Sequence, residues 1–508
     1  MNEMPHEYRV LYQFMNRLDS PFFIQKSGES VICRHDDSGT LDEVHIPAIS
    51  PESLGSTSFK VRHDIQYAYA AGAMAGTIAS EKLVVALARR GFLSFFGSGG
   101  ASPARIEQAI QTLKRELPDK SYGFNLLNNP FEPKIEEETV DLYLKHNISR
   151  VSASAYIKLT PYVIRYRLTG LHRRDDGSVV APNSVLAKLS RREVAEAFLN
   201  PPPEAVVQDL LRAGKVTAGE AELAREIPVA DDIIAESDSG GHTDNRPFVS
   251  LIPQILSLRS EYADRYPGRN IHIGAAGGIS TPQAIAAAFS MGADFVLTGS
   301  INQSCIESGT SRIVKELLVH AEVPDVRMAP AADMFESGAQ VQVLKYGTMY
   351  AMRAEKLYNL YKTYSGMDEI PEKDRTFIEK TIFQATLDDV WEQTAAFFRE
   401  RNPVILDGAM KDPKRKMALV FRWYLGKSSR WAFSGDELRK SDFQIWCGPS
   451  MGSFNQWART TRFESAENRS APDVAIELMR GAAYLSRLSV ARAYGIDVPP
   501  AMWEYRPV

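Results

Sequence analysis

The stretch NIHIGAAGGISTPQAIAAAFSMGADFVLTGS, residues 270–300, holds a complete strand–helix–strand unit. NIHIGAA (270–276) is a short apolar run without regular polar alternation, as expected of a strand covered on both faces. A helix signal follows: Thr281 as cap, Pro282 at the first helical position, Gly292 just past the end. ADFVLTGS (293–300) is a second buried run. Two such strands joined by one short helix are parallel, with the helix on the outside of the sheet.

The same unit recurs upstream. Apolar runs stand at QYAYAAGAM (66–74), FLSFFG (92–97), YGFNLL (122–127), RVSASAY (150–156), SVLAKLS (184–190) and DDIIAES (231–237), with helical patterns between them. In SEKLVVALARRG (80–91), Ser80 caps, Arg89 and Arg90 sit in the last turn, and Gly91 ends the helix. The runs number eight, which favours a TIM-type (β/α)8 barrel over an open doubly wound sheet. The expected α/β organisation is an N-terminal strand and loop region over 1–60 and a barrel over 61–330. A helical excursion is expected near 191–228, around PPPEAVVQDLLRAGKVTAGEAELA. Over 331–508, RAEKLYNLYKTY (353–364), TLDDVWEQTAAFFRERN (386–402) and APDVAIELMRGAAYLSRLSVARAYG (471–495) predict a mainly helical C-terminal region. Their aromatic stripes read as core.

Composition narrows the function classes. The 508 residues are 44% hydrophobic and carry a formal charge of −4, which offers no general attraction to nucleic acid or anionic membrane. Cys33, Cys305 and Cys447 lack paired or metal-ligand spacing. The start, MNEMPHEYRVLYQF, has no secretory pattern, and no apolar run is long enough to span a bilayer. A cytoplasmic protein is expected.

Chemistry in such barrels gathers at the C-terminal ends of the strands. Gly277 and Gly278 after the seventh run, and Gly299 and Ser300 after the eighth, are candidates to hold a phosphate, because backbone N–H groups and helix starts favour anions. FFGSGGAS (95–102) is not a dinucleotide fingerprint, since Ser102 takes the third glycine position. It reads as a tight strand-to-helix turn. After the sixth run, ESDSGGHTDNRP (236–247) sets His242 among Glu236, Asp238 and Asp244. Proton donation or a hydrogen bond to substrate is the favoured reading, with an ordinary surface histidine as the alternative. A metal site would need a second ligand at suitable spacing, and no histidine pair supplies one. Glu236 either orients the histidine or faces solvent. Lys188 reaches into the barrel mouth or points outward, and Asn125, on an otherwise apolar strand, needs partners.

AGAMAG (71–76), GFNL (123–126), SGGH (239–242), AAGGI (275–279) and TGS (298–300) together resemble the FMN-dependent barrels of the nitronate monooxygenase and bacterial enoyl reductase superfamily. ESDSGGHTDNRP, TGSINQ, APAADMFESG (329–338), RWYLGKSSRWAFSGDE (422–437) and QIWCGPSMGSFNQW (444–457) are similar to the PfaD-type trans-acting enoyl reductases of polyunsaturated fatty acid and polyketide synthases. Nitronate monooxygenases lack that C-terminal region. The resemblance implies FMN, with NADPH as electron donor and an enoyl chain on acyl carrier protein as substrate. It implies a flavin phosphate on Gly277, Gly278, Gly299 and Ser300, and a ring against Ala73, Met74 and Ala75, with Asn125 and Lys188 at its edge. His242 would contact substrate, and Gly240 and Gly241 would let the backbone pass close to the ring. The departure is GAMAGTIAS, which lacks a glycine the family often carries. The runner-up activity is a nitronate monooxygenase-like oxidase. Partners expected are the acidic carrier protein and its synthase complex, with docking candidates at LHRRDDG (171–177), SRRE (190–193) and KDPKRK (411–416). The C-terminal helices are candidates for a homodimer interface or a lid.

Overall fold

The computed structural model describes residues 6–27, 30–36, 43–130, 132–266 and 268–507. The extreme N-terminus and parts of the Ser/Gly-rich stretch read as N-terminal strand and loop lie outside the described residues. All eight apolar runs form strands: β1 (Tyr69–Ala71), β2 (Leu93–Phe96), β3 (Gly123–Leu127), β4 (Arg150–Ser154), β5 (Ser184–Leu189), β6 (Asp232–Glu236), β7 (His272–Ala276) and β8 (Phe295–Thr298). They pair in parallel, each with its neighbours in sequence, and β8 closes on β1. The expected barrel is present, with each strand shorter than the apolar run that predicts it.

Ser80 and Thr281 cap their helices, accepting from Leu83 N at 3.2 Å and Ala284 N at 3.3 Å. The excursion after β5 holds helices Arg192–Leu199, Glu204–Arg212 and Ala218–Leu223. At the N-terminus the strand and loop reading missed a helix, His6–Asn16, beside a three-stranded antiparallel sheet. That helix packs on Ala471–Ala493 through Tyr12, whose ring lies 5.7 Å from that of Tyr484. Its partner is remote in sequence, so local pattern alone understates it.

After β8 the chain builds a second core. A hairpin, Val326–Pro330 with Gln340–Leu344, packs with helices Tyr350–Thr363, Leu387–Arg401 and Pro413–Ser434 around Phe335, Val343, Leu357, Ile382 and Phe421. Helix Ala471–Ala493 then returns to the barrel. There Gly481 admits Pro282 of the helix after β7: a Cβ at Gly481 would come within 2.6 Å of Pro282 Cγ.

The N-terminal end of the barrel is plugged by charge. Asp232 accepts from His63 Nε2 and His272 Nδ1, both at 2.7 Å, and from Arg62 at 3.1 Å. Burial pushes its carboxyl up, but the His63 charge, both histidine bonds and Arg62 hold it far below the usual carboxylate range. Next to it, buried Arg167 grips Asp231 with two bonds of 2.6 and 2.7 Å.

Candidate functional site at the barrel mouth

The barrel interior is lined by Ala70, Phe95, Leu186, Ile234, Phe295 and Leu297. Side chains alternate along a strand, so the residues two steps on from Leu186 and Ile234 also face inward, at the open end. These are Lys188 and Glu236, and they pair with each other across β5 and β6. Only 18% and 13% of their side chains are exposed, so the pair is screened little by solvent. Asn125 of β3 is buried; its Oδ1 accepts from Ser154 Oγ at 3.1 Å, and its carbonyl accepts from Ser98 Oγ and Tyr143 OH, each at 2.6 Å. Among the described residues its amide nitrogen donates to nothing.

The loops after β1 and β2 make a wall of small residues beside that amide. Gly76 N donates to Gly99 O at 2.7 Å, and Gly97 sits so close that a Cβ would lie 1.8 Å from Met74 O. A Cβ on Gly99 would stand 3.2 Å from Ala75 Cβ and 3.4 Å from Asn125 Nδ2. Half-buried Ala73, Met74 and Ala75, with Gly99 and Asn125, thus bound one side of the mouth. FFGSGGAS is a strand-to-helix turn, with Ser102 capping Pro103–Glu116.

Across the mouth, the turns after β7 and β8 are different. Gly277 is wedged against Ser237, whose carbonyl would lie 2.6 Å from a Cβ there. Gly278, at φ +75°, and Gly299 face open space, with nothing within 4 Å of the place a Cβ would take. Beside them the Ser237 and Ser280 hydroxyls are buried and, among the described residues, without a hydrogen-bond partner. Open glycine faces, helix starts and unpaired hydroxyls suit a phosphate, so the residues present fit the phosphate end of a flavin. Ser300 is tied to the C-terminal region: its Oγ accepts from Gly448 N at 3.2 Å, a bond that uses a lone pair and not its O–H.

The SGGH loop is stitched to the C-terminal region. Gly241 and Gln342 exchange two backbone bonds, of 3.0 and 2.8 Å, across an isolated antiparallel bridge. Gly240 is packed tightly, since a Cβ would lie 3.0 Å from both Cys447 N and Ser300 Oγ. None of the three neighbouring carboxylates meets His242. Glu236 neither orients the histidine nor faces solvent: it pairs with Lys188 and accepts from Ser239 Oγ at 3.1 Å. Asp238 accepts from Asn245 at 2.8 Å, and Asp244 pairs with Arg191 at 2.7 Å. The partner is Asp333, whose Oδ1 lies 3.2 Å from His242 Nε2. It stands inside APAADMFESG, a stretch that sequence reading singled out without giving its aspartate a role. Burial pushes the Asp333 carboxyl up, yet the bond and charge of His242 bring it below the usual carboxylate range.

The C-terminal region touches the mouth at further points. Phe433 packs on Gly76 after β1, where a Cβ would meet its ring at 2.4 Å, and Arg401 reaches Glu132 beyond β3 at 3.3 Å. Most cations of the expected docking patches are engaged. Arg173 pairs with Glu226, Arg192 with Glu196 and Glu261, and Lys414 bonds the carbonyls of Tyr361 and Tyr364. Lys416 lies over the Trp391 ring. Among the described residues no helix is long and apolar enough to cross a membrane.

A family model described as nitronate monooxygenase matches residues 57–351, more than half of the chain. The chain belongs to the nitronate monooxygenase family. A second model, the inserted helical domain of acyl-carrier-protein S-malonyltransferase, matches residues 364–443. Among curated relatives, the chain is 46% identical to the polyketide biosynthesis protein PksE of Bacillus subtilis, over 86% of this chain and 57% of that protein. It is 41% identical to a polyunsaturated fatty acid synthase polypeptide of a Thraustochytrium species, over 96% of this chain and 34% of that one. The chain thus spans only a part, at most 57%, of these relatives' length. The enoyl reductase domain of MlnA from the macrolactin cluster of Bacillus amyloliquefaciens superposes with a TM-score of 0.83 at 40% identity, covering 87% of this chain and all of that one. Within the family the chain therefore sides with the PfaD-type group its motifs resemble.

Proposed function

We propose that this chain is an FMN-dependent enoyl reductase that draws electrons from NADPH. Its substrate is an α,β-unsaturated acyl chain on an acyl carrier protein, reached in trans within a polyketide or polyunsaturated fatty acid synthase. The observation that carries the reading is the match to the whole of a solved enoyl reductase domain, at an identity high enough to compare sites. The mouth supports it. Gly278 and Gly299, with the Ser237 and Ser280 hydroxyls, hold the phosphate. Ala73, Met74, Ala75 and the unspent amide of Asn125 line the ring, with Lys188 at its edge. A flavin bound there supplies hydride to the β-carbon of the enoyl thioester. His242 protonates the α-carbon. Nicotinamide and acyl chain use one face in turn, so no separate dinucleotide domain is required.

The test is the visible spectrum of the purified protein, followed anaerobically. Bleaching of a yellow protein by NADPH, and recovery on adding an enoyl thioester, supports the proposal. Bleaching by an alkyl nitronate and not by NADPH replaces it with the oxidase that the family model's description names. A colourless protein that FMN cannot reconstitute overturns both.

A further inference from the structure

We infer that Asp333 is the positioning residue of the site: it fixes the proton on His242 Nε2 and leaves Nδ1 as the nitrogen that serves the substrate. This inference rests on the reading of His242 as the proton donor. Asp333 lies in the connection of the hairpin Val326–Pro330 with Gln340–Leu344, and the same hairpin holds Gly241 through Gln342. One unit therefore holds the backbone of Gly241, next to the histidine, and faces the histidine ring. Ala331 N to Ala339 O at 2.9 Å and Gly338 N to Phe335 O at 3.1 Å close the connection that presents the carboxylate.

The Asp333 oxygen stands 3.2 Å from Nε2, and an ionised carboxylate can only accept, so its charge favours the ring forms that carry a proton on Nε2. The neutral ring then has its lone pair on Nδ1, and the imidazolium has an N–H there. Arg422, the cation that also acts on Asp333, is itself bonded to Glu336 at 3.2 Å. After hydride reaches the β-carbon, the enolate electron pair takes the Nδ1 proton, forming the α C–H bond as the N–H bond breaks. The N–H electron pair stays on Nδ1. The ring is left neutral with its proton on Nε2, Asp333 stays a carboxylate, and a solvent proton restores the imidazolium. In sum, enoyl thioester, NADPH and one proton give acyl thioester and NADP⁺. Asp333 never carries the proton.

The experiment uses the FMN-reconstituted chain, with crotonyl-pantetheine as the enoyl probe. Asp333→Asn keeps shape and acceptor but loses charge; it should lower kcat for thioester reduction about 100-fold, with KM changed less than about threefold. Flavin reduction by NADPH should stay within about twofold of wild type. Asp333→Glu should recover part of the loss, and the double variant with His242→Ala should be no slower than His242→Ala alone. Additive losses, or equal losses in both half-reactions, overturn the inference. A second readout needs no turnover: long-range ¹H–¹⁵N correlation of the histidine rings. The wild-type neutral ring should be the Nε2–H form, and Asp333→Ala should release a mixture of tautomers. An Nδ1–H form in the wild type overturns the inference. If the wild type binds FMN but leaves crotonyl-pantetheine unreduced, the proposed function fails, while the ring correlation still decides the role of Asp333.

Discussion

At the closed end of the barrel Asp232 is fully buried between His63, His272 and Arg62, whereas at the open end His242 and Asp333 face each other with 37% and 43% of their side chains exposed. Both clusters join histidine to aspartate across distant segments. The lower one spends both Asp232 oxygens on short bonds inside a buried plug. Among the described residues the upper end leaves the Asn125 amide and two serine hydroxyls without protein partners. Paired, buried charge at the strands' N-terminal ends serves stability, although His63 Nδ1 stays unpartnered among the described residues; the open polarity at their C-terminal ends serves a ligand.

The contrast breaks most visibly at its stable pole. Asp232→Asn should destabilise the fold by about 3–5 kcal/mol, because it strands His63, His272 and Arg62 in the interior. Urea unfolding measures this, and a loss below about 1 kcal/mol would dissolve the distinction between the two ends. The same plug sets the response to acid. Asp231 and Asp232 both have carboxyls held below their unfolded value of about 3.9. Their contribution is complete above that value and is lost as pH falls below it toward the folded values. Wild-type unfolding midpoints should therefore drop steeply below about pH 4, and Asp232→Asn should blunt the drop.

The opposite pole should show loss of rate without loss of stability. His242→Ala should lower thioester reduction about 100-fold, about 2.7 kcal/mol of barrel-mouth chemistry, while unfolding shifts by less than about 0.5 kcal/mol. Steady-state kinetics beside a denaturant titration tests both halves. Gly278→Ala puts a methyl into the open cradle, at φ +75°, and should weaken FMN binding about tenfold, read by quenching of flavin fluorescence. The smallest change should come at the rim. Arg401 and Glu132 form a partly exposed pair, and Arg401→Ala should cost less than about 1 kcal/mol in a double-mutant cycle with Glu132→Ala.

The fold was legible because each strand buried on both faces needs a short, largely apolar run, and several of the helices behind them carry their own N-caps, Ser80, Ser102, Thr160 and Thr281. NIHIGAA and ADFVLTGS are strand signals that depend on no distant partner. The glycines after β7 and β8 were equally local. Asp333 was not legible as a partner. The motif around it stood out, but three carboxylates within six residues of His242 were the natural candidates, and nothing local says that each is already engaged. The hairpin Val326–Pro330 with Gln340–Leu344 escaped notice for a related reason. Its two short strands pair at the edge of a helical core, and the boundary expected at 330 falls at the end of its first strand. Ser300 shows the limit from the other side. Its position after β8 suggested an anion, and the folded chain adds a partner that no local pattern shows, the Gly448 N–H that donates to its hydroxyl oxygen.

Helix Ala471–Ala493 has a consequence for how the molecule is made. It covers the helix Pro282–Ser290 behind β7, yet the whole second core separates the two in the chain. A ribosome that has finished β8 has delivered every barrel strand but not the covering of that outer helix. Until Ala471–Ala493 emerges, the Pro282 face stays wet, a sticky patch on an otherwise closed barrel. Assembly of the outer layer is a late, long-range event with a large loop-closure cost, so refolding should be slow and prone to association between chains. The second core, built from nearer neighbours, is free to form first.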